Sequence, residues 1–119
     1  GIYAVNNGSG ATNVTATGAV SGQTQYGILA VNDFSAASLT VNAAGVSGAT
    51  AILVQNDGSG ATSVTATGPV SGAVSDGINA FNGGTASSMT LNAASVTGIQ
   101  YGINARNFGT GATSITTGG

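Results

Sequence analysis

Four side chains in this 119-residue chain are ionised at neutral pH: Asp33, Asp57, Asp76 and Arg106. They are the only groups that could hold a metal or stabilise charge, and their spacing argues against catalysis. There is no His and no Cys, which removes Ser/His/Asp and Cys/His nucleophile arrangements. A glycosidase pair needs two carboxyls within about 5–9.5 Å. Asp33 and Asp57 fall at one place in their repeats and Asp76 in a variable joint, so the three are not expected to converge, and Asp33 and Asp57 read as surface residues at a loop. Gly8-Ser9-Gly10 and Gly109-Thr110-Gly111 do not continue to the Lys of a phosphate-binding loop. The Gly-Gly-x-Gly-x-Asp calcium repeat is absent, so calcium does not knit these units. The sequence therefore predicts no enzyme, no cofactor and no metal.

Composition narrows the partners. Charged residues make up 3% of the chain, against about a quarter in ordinary soluble proteins. With a single cation there is no basic patch for nucleic acid. No run of 18 apolar residues spans a membrane, and the N-terminus lacks the plan of a signal peptide. Ser, Thr, Asn and 21 Gly supply polarity, while a 41% hydrophobic fraction argues for order. The sequons Asn7-Gly8-Ser9 and Asn13-Val14-Thr15 are expected by chance in such a composition.

The elements that position these residues follow from an internal repeat. Gly-Ile opens at Gly1, Gly27, Gly77 and Gly102, with Ala51-Ile52 in the remaining place, at spacings of 26, 24, 26 and 25 residues. Each Ile is followed 20 residues on by the Gly of a Val-Ser/Thr-Gly: Gly22, Gly48, Gly72 and Gly98. A longer period overlays the first. Gly8–Thr12 recurs as Gly58–Thr62, and Ser38-Leu39-Thr40-Val41-Asn42 is echoed by Ser88-Met89-Thr90-Leu91-Asn92, as if a two-rung block had been duplicated.

Within each repeat the pattern has period two. Ile2-Tyr3-Ala4-Val5-Asn6 and its counterparts hold small or apolar residues at the first and third positions and wander at the second and fourth, the mark of a strand with one buried face. A second strand places Val14, Leu39, Val64, Met89 and Ile115 inward, and a short third centres on Val20, Val46, Val70 and Val96. Such strands bury their apolar face only when stacked on copies of themselves. The expected fold is all-β: a single parallel, right-handed β-helix (β-solenoid) of about five rungs, 1–26, 27–50, 51–76, 77–101 and 102–119, with three short strands each.

Three surface or corner features are candidates for function. Asn6, Asn32, Asn56, Asn82 and Asn107 close the first strand of every rung. Asn tolerates the left-handed backbone of a sharp corner, and stacked amides bond rung to rung, so a structural ladder is expected. Thr15, Thr40, Thr65, Thr90 and Thr116 form a possible outward binding face on the second strand, flanked by Ser and Asn. Tyr3, Leu29, Leu53, Val5, Val31 and Phe81 form an apolar outer streak on the first.

The Gly-Ile-x-Ala-x-Asn unit and the Gly-Ser-Gly-Ala-Thr-x-Val-Thr-Ala-Thr-Gly-x-Val-Ser-Gly run at 8–22 and 58–72 resemble the passenger region of bacterial autotransporter adhesins. That resemblance implies an exported β-helix at the bacterial cell surface, associated with the outer membrane, serving adhesion, aggregation or display. It implies no catalytic residues. Its partners would be neighbouring rungs of a longer chain, copies of itself stacked end to end, or host and cell-surface ligands. A self-assembling fibre and an ice-binding solenoid using the Thr face are the alternatives that the open strand edges and the hydroxyl array suggest.

Overall fold

A computed structural model describes residues 1–118; Gly119, at the end of the fifth expected rung, lies outside the described residues. Among the described residues there are twelve strands and no helix. Those opening each rung are β1 (Ile2–Asn6), β4 (Tyr26–Asn32), β7 (Thr50–Asn56), β9 (Ile78–Asn82) and β11 (Ile103–Asn107). They form one parallel sheet in the order β1-β4-β7-β9-β11. The partners are Ile2, Ile28, Ile52, Ile78 and Ile103 in one column and Ala4, Ala30, Val54, Ala80 and Ala105 in the next. Parallel pairing of successive repeats with everything between them looped round is a coil, and the coil makes about four turns before its last strands.

The opposing sheet holds β2 (Thr12–Ala16), β5 (Leu39–Ala43), β8 (Thr62–Gly72), β10 (Met89–Thr97) and β12 (Thr113–Thr117), with β3 (Val20–Ser21) and β6 (Val46–Gly48) extending it. The expected third strand is separate only in the first two rungs. In the next two it runs on from the second strand as the ends of β8 and β10, with a register shift between Ala93 and Ser95. Pro69 lies at that shift, paired with Ser95, where its missing N–H is tolerated.

The core is the space between the two sheets. Ile28, Ala30, Ile52, Val54, Ile78 and Ala80 from the first meet Leu39, Val41, Val64, Met89 and Leu91 from the second, all fully buried. Alternation in the sequence becomes alternation in exposure along most strands, and that is why the inward and outward faces were legible. Close approach of the third corner to the next opening strand explains its glycines. A Cβ on Gly72 would lie 2.1 Å from the Asp76 carbonyl oxygen, and one on Gly98 would lie 2.0 Å from that of Tyr101. None of the described residues has positive φ. The first corners are therefore turned without the left-handed conformation that the Asn residues were expected to supply.

Substitution on opposite faces of one strand tests this register. Val64→Asp places an unpaired carboxylate at a fully buried site, and even partial compensation leaves a cost of several kcal/mol. Val64→Asp is expected to abolish the cooperative thermal transition followed by circular dichroism. Ser63→Asp, one residue away on the outer face, is expected to leave the midpoint within a few degrees of the parent.

Candidate functional site

Asn6, Asn32, Asn56, Asn82 and Asn107 occupy one inward-facing column at the edge of the core. Asn32, Asn56 and Asn82 are completely buried. A buried amide costs stability unless its two donors and its acceptor are all partnered, and the first corners alternate between two designs that do this.

In the first, third and fifth rungs the corner is Gly-Ser/Thr-Gly-Ala-Thr. Asn56 Oδ1 accepts from the Gly58 backbone N–H at 3.0 Å and Asn56 Nδ2 donates to the Gly60 carbonyl at 3.0 Å. Asn6 and Asn107 repeat both bonds with Gly8 and Gly10, and with Gly109 and Gly111. The side chain thus mimics a turn of backbone. In the second and fourth rungs the corner is one residue longer. Asn32 Nδ2 donates to the Ser38 carbonyl at 2.9 Å, and Asn82 Nδ2 to that of Ser88 at 3.1 Å.

The bonds between rungs alternate as well. Asn32 Nδ2 also donates to Asn56 Oδ1 at 3.2 Å, and Asn82 Nδ2 to Asn107 Oδ1 at 3.3 Å. The intervening steps are made by a hydroxyl. Thr12 Oγ1 donates to Asn32 Oδ1, and Thr62 Oγ1 to Asn82 Oδ1, each at 2.5 Å. The ladder is therefore a Thr–Asn–Asn relay repeated once per pair of rungs. Thr12 and Thr62 did not stand out in the sequence as ladder members. The signal was present, since a Thr stands six residues after the Asn in the first, third and fifth rungs alone, at Thr12, Thr62 and Thr113.

The longer corners also correct the outward face. Thr15, Thr40, Thr65, Thr90 and Thr116 all point outward, but they do not form one row. Thr15 pairs with Asn42, which pairs with Thr65; Asn92 then lies between Thr65 and Thr116. Thr40 and Thr90 belong to the next column, with Asn13, Ser63 and Ser114. Similarly, Val14 stacks on Val41 and Val64 rather than on Leu39, while Leu39 and Met89 stand beside Thr62. Matching the Thr residues by similarity had slipped the even rungs by two positions. A slip of two keeps each residue on its face, so the inward and outward assignments survive it.

The outer face of the first sheet changes character along the coil. Tyr3, Leu29 and Leu53 give way to Asn79 and Asn104 in one column; Val5 and Val31 give way to Gln55, Phe81 and Arg106 in the other. Arg106 lies over the Phe81 ring, its guanidinium carbon 5.4 Å from the centroid, and Phe81 packs against Phe108 at 5.6 Å. Two of the three carboxylates reach this face. Asp57 Oδ2 accepts from Gln55 Nε2 at 2.7 Å. Asp76, only 3% exposed, accepts through Oδ2 from Asn79 Nδ2 at 3.0 Å and from Asn104 Nδ2 at 3.4 Å. Its Oδ1 is buried with no partner among the described residues. Asp33 is turned to its own corner, accepting from the Phe34 backbone N–H. Asp33 and Asp57 occupy one column in adjacent rungs, each N–H donating to the carbonyl of the Asn one rung below. Among the described residues, no group of three or more His, Cys, Asp or Glu side chains comes together.

No family model, curated protein or solved structure matches this chain. What the arrangement can do is therefore read from its geometry alone: an interior whose polar groups bond rung to rung, and two outer faces of different chemistry.

Two experiments follow. Replacing Asn82 by Ala strands the Thr62 hydroxyl and the Ser88 carbonyl, so a loss of about 2–4 kcal/mol is expected in urea unfolding. Thr62→Val is expected to cost about 1–2 kcal/mol, and the double variant less than the sum, because both changes remove the same bond. For the outer face, a Cys pair at Thr15 and Asn42 is expected to form a disulfide under mild oxidation. A pair at Thr15 and Thr40 is offset by two residues on neighbouring strands, about 8 Å apart, too far to bridge; mobility on non-reducing gels distinguishes them.

Proposed function

We propose that the chain is a structural and adhesive stalk segment of a secreted bacterial cell-surface protein, with no catalytic role. One observation carries this reading: the buried polar groups of the first corners both close each corner and bond it to the neighbouring rung. The Thr–Asn–Asn relay, the parallel ladders and the corner backbone bonds all run along the coil axis. Ser59 N–H donates to the Ala36 carbonyl, and Thr110 N–H to that of Ala86, each at 3.1 Å. Such a coil resists extension, which suits a spacer that holds binding surfaces away from a membrane. The near absence of charge leaves the outer face of the second sheet polar through hydroxyls and amides, suited to hydrated surroundings without strong electrostatic steering. The autotransporter-like repeat motifs at 8–22 and 58–72 supply the cell-surface setting of the proposal.

Antibodies raised against the folded segment test the setting. Labelling of intact, unpermeabilised source cells, lost after brief external protease treatment, is the expected result. Labelling that requires permeabilisation would contradict the reading.

A further inference from the structure

The polar end of the first sheet's outer face holds three of the chain's four charged side chains or the amides they orient. Leu53, Gln55, Asn79, Phe81 and Arg106 line a shallow groove of about 230 Å³ there. From these contacts we infer that the groove is a binding site for an acidic saccharide, with Arg106 taking the sugar carboxylate and the amides of Gln55 and Asn79 taking its hydroxyls.

The amides are the first part of the case. An amide side chain presents a donor end and an acceptor end, and a carboxylate accepts only. Asp57 holds Gln55 by Nε2, and Asp76 holds Asn79 by Nδ2. Each amide must therefore keep its oxygen away from the carboxylate, free to accept. Asn104, stacked on Asn79, is held toward Asp76 in the same sense. The groove is thereby given fixed acceptors, which match a ligand rich in hydroxyl donors. The buried carboxylate of Asp76 has no other hydrogen-bonded side chain than these two Asn among the described residues, so orienting them is the role its contacts assign to it.

The guanidinium is the second part. Among the described residues Arg106 makes no ion pair, and it rests on the face of Phe81. The guanidinium also makes no hydrogen bond to another of the described residues, so its planar N–H edge is open. That edge is the fork that takes a carboxylate with two parallel hydrogen bonds. Phe108 buttresses Phe81 from the corner, so the platform beneath Arg106 is itself packed. A ligand with one carboxylate and several hydroxyls in a ring of five or six atoms, a uronic acid or a related acidic sugar, complements both features. A fully apolar ligand complements neither, and a cationic one is repelled by Arg106.

The inference gives the adhesive half of the proposal a ligand class, and it stands or falls separately from where the chain is displayed. The test exploits the fact that Arg106 is the only arginine, so its Nε–H gives a single resonance in a ¹H–¹⁵N spectrum of the whole chain. The probes are D-glucuronate and D-galacturonate, with D-glucose, acetate and a glutamate-rich peptide as comparisons, in a titration extended to about 50 mM because single-sugar contacts of this size bind in the millimolar range. The expected result is movement of the Arg106 Nε–H and of the Gln55 and Asn79 side-chain amides with either uronate, at least about tenfold weaker with glucose. Arg106→Gln, at an exposed position, is expected to keep the remaining spectrum and lose the response by a similar factor. No movement, equal movement with glucose, or an unchanged response in Arg106→Gln overturns the inference. So does acetate moving Arg106 as far as the uronates while the amides stay still, which would reduce the site to a simple carboxylate contact. A stronger response to the glutamate-rich peptide overturns it in favour of an acidic peptide.

Discussion

The constraint on which the rest of this structure depends is the satisfaction of the inward Asn amides, three of them buried, that close the first corner of each rung. Asn is uncommon in protein interiors, and here a column of it borders the core, with three members fully buried. Each amide closes its own corner, all but that of Asn6 also bond to a neighbouring rung, and the two tasks compete for the same atoms. An Asn that gives its oxygen to its own corner, as Asn56 does to Gly58, can still accept from the rung below. An Asn that donates upward, as Asn32 and Asn82 do, needs a hydroxyl from below to fill its oxygen, and Thr12 and Thr62 provide it. Two corner designs result, and they must alternate. The duplicated two-rung block in the sequence is the record of that alternation.

The same alternation governs packing. Thr12, Thr62 and Thr113 alternate in one column with Leu39 and Met89. Where the Thr hydroxyl is used by the relay, the side chain is short; where it is not needed, a large apolar side chain fills the volume. The extra residue in the longer corners brings Val41 and Leu91 into line with Val14 and Val64. Stacking in the corner is close. The glycines of the short corners in the third and fifth rungs lie on the backbone of the long ones, and a Cβ on Gly58 would come within 2.3 Å of the Ala36 carbonyl oxygen. Corner length, corner composition and core composition therefore form one linked set.

Much of this was legible in the sequence because β-structure writes its faces with period two. The all-β solenoid, the parallel stacking of Ile2, Ile28, Ile52, Ile78 and Ile103, and the inward Asn column follow from residues that keep their type at fixed spacing. The register of the second strand was not legible. Aligned with Val14–Thr17 or with Thr12–Thr15, the segment Leu39–Asn42 keeps Leu39 and Val41 inward, and only the hydrogen bonds between corners decide between the two. The fusion of the third strand into β8 and β10 was hidden for a similar reason, since Gly68-Pro69 reads locally as a turn. Burial of Asp76 lay beyond reach, because a lone Asp beside Gly77 carries no pattern that distinguishes an exposed loop from a pocket closed by Asn79 and Asn104. The Arg106 groove is built across three rungs, and no segment of the sequence displays it.

Side-chain amide exchange measures the relay most directly. In ¹H–¹⁵N spectra recorded after transfer to D₂O, the Nδ2 hydrogens of Asn32, Asn56 and Asn82 should exchange only through opening of the coil, at rates near those of the core strand amides. Those of Asn13, Asn42 and Asn92, on the outer face, should exchange within the dead time. Slow exchange of the three buried amides, with Asn82 accelerated in Thr62→Val and Asn32 left slow, is the result the relay requires. Equal and rapid exchange of all six would contradict it, and with it the account of why the rungs alternate.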